Sequence, residues 1–284
     1  MNEPFDIIGI VIVFYFPTEE QIERLKRLDN FKYVYVIDNT PEGKCDFTQF
    51  NINYIPFGAN RGVATALNMG ITSSINDGCE FICMFDQDSE YSEELIKSLY
   101  SSYLKLEEKF KHIAVLAPRL ILENTEWERS TLNLPYYSVP DVMTSGSLVR
   151  ASVFNKVGLM EDALFIDLVD TEWCMRAKKF NLLSVIANEI IMYHPLGIKS
   201  IKKCGAGFII SNPKRYFYQY RNFLKLFRRN YIPRSFKLRL LYTRILGLIF
   251  LPLNTPKPFR SIWYILMGIL SGFGLSQYNP NKLK

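Results

Sequence analysis

Beyond Glu189 the chain contains no acidic residue, and that absence divides the sequence. The remainder holds 17 of the 34 Lys and Arg residues, while the first 189 residues hold the other 17 against all 28 acids, a net charge of −11. The break near residue 195 predicts two functional regions, 1–198 and 199–284. Cysteine is sparse: five, at Cys45, Cys79, Cys83, Cys174 and Cys204, an odd set with no CxxC spacing. With only two histidines, His112 and His194, this argues against a structural zinc site and for a reducing compartment, with all five thiols buried as small apolar residues. The start, "MNEPFDIIGIVIVFYF", has no positive stretch ahead of its apolar run, as a signal peptide would. No segment reaches the roughly 18–20 uninterrupted apolar residues of a spanning helix. A cytoplasmic protein is expected. There is no internal repeat and no low-complexity stretch.

What is present reads as globular, with 48% hydrophobic and 22% charged residues over a length that can bury a large core. "IIGIVIVFY" (7–15) is a β-branched run suited to a strand buried on both faces. "TEEQIERLKRL" (18–28) follows as a helix with Thr18 as its N-cap. Strands are expected at 32–38, 52–57 and 81–85, with a small-residue helix at 62–75 and a helix capped by Ser92. Strand and helix alternating in this order predict an α/β domain with a mainly parallel sheet flanked by helices. Further on, 112–122 reads as a strand and 169–180 as a helix. The segment 142–168 gives a strand-like stretch and a Gly turn, and 181–194 a closing strand pair.

Ligands of parallel sheets bind at the carboxyl ends of strands. Tyr15, Asp38, and Asp86 with Asp88 each end a predicted strand, so neighbouring strands would bring them to one rim. Taken alone, "DQD" at 86–88 reads first as a solvated acidic turn before the Ser92 helix, and "DNT" at 38–40 can also be an Asx turn.

Four segments in order carry a resemblance. "VFYFP" (13–17) is similar to a first-strand TYNP signature, with Phe14 and Phe16 in place of Thr and Asn. "NRGVATALNMGI" (60–71) is similar to NxGxAxAxNxGI, "DQD" to a metal-binding DxD, and "LFIDLVDTEWCMR" (164–176) to FFxYxEDxDLxxR, with Val169 in place of Glu. Over residues 7–230 the chain resembles a family 2 glycosyltransferase of the GT-A fold. Its closest resemblance is to bacterial rhamnosyltransferases that use dTDP-L-rhamnose.

That resemblance implies an inverting, metal-dependent transferase. A divalent cation, Mg or Mn, would be held by Asp86, Asp88 and His194 against the donor diphosphate. Asp88 would be the direct ligand and Asp86 would face the ribose or a metal-bound water. Asp38 would accept the N3–H of uracil or thymine, Tyr15 would pack on that base, and Asn60, Arg61 and Gly62 would open a helix toward phosphate. Asp170 would be the base that takes the acceptor's proton, since a hydroxyl acidifies as its bond forms. Asp167, Glu172, Trp173 and Arg176 are the acceptor-side candidates. Plainer readings stand beside these roles: capping for Asn60, core packing for Trp173, a carboxylate partner for Arg176, and a satisfied, partly buried ring for His194. A different UDP- or dTDP-sugar, or a non-catalytic sugar-nucleotide or membrane-binding module, also fits the motifs.

The basic remainder reads as a helical extension. "NPKRYFYQYRNFLKLFRRNY" (212–231) sets Phe217, Tyr220, Leu224 and Phe227 at helical spacing with Arg221, Lys225 and Arg228 on another face. The segments 233–253 and 261–275 add apolar faces bordered by cations. Cations alternating with Leu, Ile and Phe favour an anionic membrane surface over nucleic acid. Such a tail suits a lipid-linked saccharide acceptor met at the inner face of a cell membrane.

Overall fold

The computed structural model describes residues 4–43, 47–110, 112–123, 134–195 and 199–281. Cys45 lies outside them. The described chain divides into two compact units. One comprises Met1–Ile121, Thr131–Phe165 and Val169–His194, the other Leu122–Ser130, Ile166–Leu168 and Pro195–Lys284.

In the first unit a short helix α1 (Pro4–Ile7) leads into β1 (Ile8–Phe14), a strand buried at every position as its β-branched run requires. The helix α2 (Glu19–Glu23) starts on a capping box between Thr18 and Gln21 and tightens into a 3₁₀ turn through Leu28. Then come β2 (Tyr33–Asp38), β3 (Asn53–Pro56), α3 (Val63–Asn76), β4 (Phe81–Asp86) and α4 (Glu93–Lys109), the last capped by Ser92. Strands β1, β2, β3 and β4 pair in parallel in the order β3-β2-β1-β4. The small-residue composition of α3 has a direct cause. A Cβ on Gly70 would lie 2.3 Å from Val11 Cγ1, so the helix rests on β1 at a spacing only glycine allows.

The sheet continues with β5 (Ile113–Glu123), β6 (Tyr136–Val139), β7 (Ser147–Arg150) and, after the helices α5 (Ala151–Val157) and α6 (Val169–Lys178), β8 (Leu183–Pro195). The full order is β3-β2-β1-β4-β7-β5-β8-β6, and β7 runs antiparallel to both β4 and β5. Two sequence expectations change here. The strand-like stretch before residue 169 resolves into β7 and α5. The expected strand pair at 181–194 is one long strand, β8, whose antiparallel partner is β6. Cross-strand groups satisfy the backbone in the middle of β8: Asn188 N–H donates to Pro135 O, and Arg119 Nε donates to Asn188 O.

The second unit opens on a hairpin, not a helix. Strands β9 (Lys199–Lys203) and β10 (Ala206–Ile210) join through Cys204 and Gly205, both at positive φ, the geometry of a tight two-residue turn. Cys204 is therefore exposed, against the expectation of burial, while Cys79, Cys83 and Cys174 are buried. Burial pushes the Cys79 and Cys174 thiols up to about 12. The helices α7 (Pro213–Phe227), α8 (Arg234–Leu253) and α9 (Pro258–Gly272) complete the unit. A Cβ on Gly268 would meet Phe217 O at 2.4 Å, which shows how closely α9 lies on α7. A small core of Phe208, Ile210, Tyr216, Tyr220, Leu251 and Ile265 joins hairpin and helices. Among the described residues no helix is long and apolar enough to cross a membrane.

Candidate functional site

The apolar run of β4 ends at Asp86, and a turn closed by the Ser89 N–H to the Asp86 carbonyl carries Gln87 and Asp88 beyond the sheet. His194 arrives at the same place from the end of β8, a strand three positions away in the sheet. Ligand atoms of Asp86, Asp88 and His194 all lie within 4.8 Å of one another. His194 Nε2 stands 4.0 Å from Asp86 Oδ2. That separation is too long for a hydrogen bond. It suits a shared cation, because bonds of about 2.1 Å place two ligands about 3 Å apart at a right angle and about 4.2 Å apart when opposed. Two carboxylates with one imidazole form a hard donor set with a single nitrogen, which fits a divalent cation that accepts nitrogen as well as oxygen.

Gln87, between the acids, faces the other way. Its Oε1 accepts the Tyr15 N–H at 2.6 Å, tying the chain after β1 to the acidic turn. Tyr15 and Phe16 are exposed and pack edge to face with ring centroids 4.7 Å apart. Phe16 holds a positive φ and donates its N–H to Thr40 Oγ1. The replacement of an Asn by Phe16 thus keeps a backbone turn that Asn adopts readily.

Asp38 is buried. Its Oδ1 accepts the Thr40 N–H and its Oδ2 the Tyr54 hydroxyl, both at 2.8 Å, so the Asx turn describes it as it stands. Asn60 Oδ1 accepts the Gly62 N–H, again a local turn. Arg61 is exposed, and its guanidinium lies over the Phe57 ring. Gly62 sits at φ +90, and a Cβ there would meet Phe165 at 2.6 Å. The Ala64 N–H at the start of α3 bonds to the Phe165 carbonyl. The chain itself therefore occupies part of the helix terminus that the motif directs toward phosphate.

Asp170 stands in the first turn of α6, with Oδ1 accepting the Thr171 N–H at 2.8 Å. It lines a cavity of about 10 Å³ with Met84, Val142, Thr144, Met160, Trp173 and Cys174. Three other motif residues have a different task. Glu172 is buried and takes both Nε and Nη2 of Arg176, at 2.9 and 2.8 Å. Arg176 also donates to the carbonyls of Val157 and Leu159. Trp173 is 2% exposed, packs on Phe154 and donates its Nε1–H to Gly158 O. Glu172, Trp173 and Arg176 therefore brace α5 against α6. A large aromatic and a paired arginine on a helix are better served by the core than by water.

Asp167 belongs to the second unit. Arg215 holds its carboxylate, with Nε 3.0 Å from each oxygen, and Asn222 Nδ2 donates to the carbonyls of Ile166 and Asp167. Asp167 and Leu168 both take positive φ, an uncommon conformation for such residues, and this network over-determines it. His112 precedes β5, exposed, and gives its carbonyl to the Leu183 N–H. Sequence reasoning missed Ser89 and Ser145, buried hydroxyls bonded to each other beneath the acidic cluster. A serine following an acidic turn gave no sign of that partnership.

Known proteins are similar to this chain in sequence and in fold. A family model described as glycosyl transferase family 2 matches residues 18–158. The dTDP-rhamnosyl transferase RfbF of Shigella flexneri is 33% identical over 257 residues, 82% of this chain and 83% of that protein. The low-salt glycan biosynthesis hexosyltransferase Agl10 of Haloferax volcanii is 24% identical over 200 residues, 62% of this chain and 63% of that one. Among solved structures, S. aureus TarS 1-349 in complex with UDP-GlcNAc is similar with a TM-score of 0.51 at 13% identity, over 95% of this chain and 83% of that one. The chain spans 44% of a longer TarS structure. GalNAc-T7 with UDP, GalNAc and Mn2+ is similar with a TM-score of 0.53 at 13% identity, over 98% of this chain and 60% of that one. The two structures share the GT-A fold, and the 33% identity extends along most of both chains: this protein belongs to glycosyl transferase family 2.

Proposed function

We propose that the protein is an inverting, cation-dependent transferase that moves L-rhamnose from dTDP-L-rhamnose to a lipid-linked saccharide in cell-surface polysaccharide synthesis. The observation that carries this reading is the convergence of Asp86, Asp88 and His194 at the carboxyl end of the parallel strands. A cation held there would neutralise the charge that gathers on the departing diphosphate. Asp86 and Asp88 supply its hard oxygen ligands, and the imidazole of His194 favours Mn2+ over Mg2+. Tyr15 offers an exposed ring for the base and Arg61 an exposed cation for phosphate. Asp170 takes the proton of the attacking hydroxyl in a single displacement with inversion. The identity of the sugar rests on the resemblance to the Shigella protein.

The second unit supports a membrane partner. Ile245, Ile249 and Leu253 on α8 and Phe259, Trp263 and Leu266 on α9 are exposed, Phe259 by 85%. Exposed Arg234, Arg239, Lys257 and Arg260 lie on or beside the same helices. A second copy would meet this surface with the same positive charge, whereas an anionic lipid surface complements it. Such a partner would hold the enzyme peripherally at the inner face of the cell membrane, where a lipid-linked acceptor is presented.

A screen of sugar nucleotides for released nucleoside diphosphate, with Mn2+, Mg2+ or chelator, tests the enzymatic reading. Release is expected from dTDP-L-rhamnose and greatest with Mn2+. Release from a UDP-sugar alone would replace the donor, and equal release with chelator would remove the cation.

A further inference from the structure

Beneath the candidate cation ligands lies a line of buried hydroxyls. Ser89 and Ser145, 0% and 1% exposed, bond to each other through their side chains. At one end Ser89 Oγ is 3.2 Å from His194 Nδ1. At the other end Ser145 Oγ accepts the backbone N–H of Asp86 at 3.2 Å. The line therefore connects the nitrogen of His194 that faces away from the cluster to the main chain of Asp86.

Counting protons shows what this line can do. A neutral imidazole has one donor nitrogen and one acceptor. If Nδ1–H donates to Ser89 Oγ, the Ser89 proton passes its hydrogen bond to Ser145 Oγ, which also accepts from Asp86. Nε2 then presents a bare lone pair toward the two carboxylates, and the Ser145 hydroxyl proton is the one the line does not use. In the reverse order Ser145 donates to Ser89 and Ser89 to Nδ1, Nε2 carries the proton, and the ring cannot ligate; the line accommodates either order, and a cation on Nε2 selects the first.

We propose that Ser89 and Ser145 are positioning residues that hold the His194 ring by its Nδ1 when Nε2 ligates and fix its distance from Asp86. The proposal rests on the cation reading above. His194 reaches the site from β8 although β5 and β7 separate that strand from β4, so sheet hydrogen bonds alone do not set the gap between His194 and Asp86. The paired hydroxyls span it. A ligating histidine whose second nitrogen is hydrogen-bonded keeps its tautomer and orientation, and losing that partner typically costs about 10–100-fold in metal affinity.

The test is Mn2+ affinity of the full chain, read by the EPR signal of free Mn2+ in the presence of dTDP. Ser89→Ala is expected to weaken binding about tenfold or more. It should have little further effect in a His194→Ala background, because Ser89 acts through that ring. Binding by Ser89→Ala as tight as that of the parent, or an equal loss with and without His194, overturns the proposal. If His194→Ala leaves the affinity unchanged, the relay falls and the two carboxylates remain the site. If Asp88→Asn changes nothing either, the cation reading itself fails. The parent chain gives a second measurement should Ser89→Ala not fold. In the diamagnetic Mg2+ complex, nitrogen NMR of His194 should find the proton on Nδ1; a proton on Nε2 overturns the proposal.

Discussion

In the first unit β1 is buried along its whole length, and chemically active groups gather where strands stop. In the second unit α8 and α9 leave Ile249, Leu253, Phe259 and Trp263 in the open, with exposed cations among them. The acids are confined to the part of the sequence that supplies the sheet, and the part that supplies α7, α8 and α9 has none. One unit thus concentrates negative charge at a point, suited to holding a cation. The other spreads positive charge along an apolar surface, suited to an anionic interface. Charge at a strand end is a device of precision, because a buried strand fixes the side chain that follows it. Charge spread along amphipathic helices is a device of attraction and needs no exact placement.

The largest expected effect breaks the chemical side of this comparison. Asp170→Asn should lower turnover about 10²–10⁴-fold, the range for a lost general base, while calorimetry finds donor binding within a few-fold of the parent. Surviving turnover would take the base role from Asp170. Next, Trp173→Ala should cost about 3–5 kcal/mol in denaturant unfolding, as truncation of a buried Trp does. A variant of parental stability with only a raised acceptor KM would return Trp173 to the substrate.

The second unit is tested by flotation with vesicles containing phosphatidylglycerol. Replacing Leu253, Phe259 and Trp263 with Gln should reduce vesicle-bound protein at least about tenfold, since burying one such side chain contributes about 1.5–3 kcal/mol. Unchanged flotation would remove the membrane face. The smallest effect is chemical labelling near pH 8. Cys204 should alkylate well before Cys79, Cys83 and Cys174, followed by peptide mass spectrometry, because buried thiols pushed upward carry almost no thiolate at that pH. Equal labelling would mean that the buried thiols open readily to solvent.

Much of this was legible in the chain. The β-branched run at 7–15, the capping residues Thr18 and Ser92, and the ordered motifs announced the parallel half of the sheet and its rim of carboxylates. The antiparallel half was less legible because β6 and β7 are four-residue strands defined by their partners, with no period of their own. The hairpin at 199–210 was hidden for a related reason: a basic strand looks like any other basic segment until its turn is seen.

Motif residues separated in the same way. Asp170 and Glu172 stand two apart on one helix, yet one lines a cavity and the other is sealed against Arg176. By itself the sequence determined the family, the acidic and basic halves, and which residue types reach the ends of strands, since these follow from local pattern and composition. Only the tertiary structure decided which motif residues pair with one another and that Ser89, Ser145 and His194 meet. Partners 56 and 105 residues apart are joined by sheet order and packing, which no local pattern encodes.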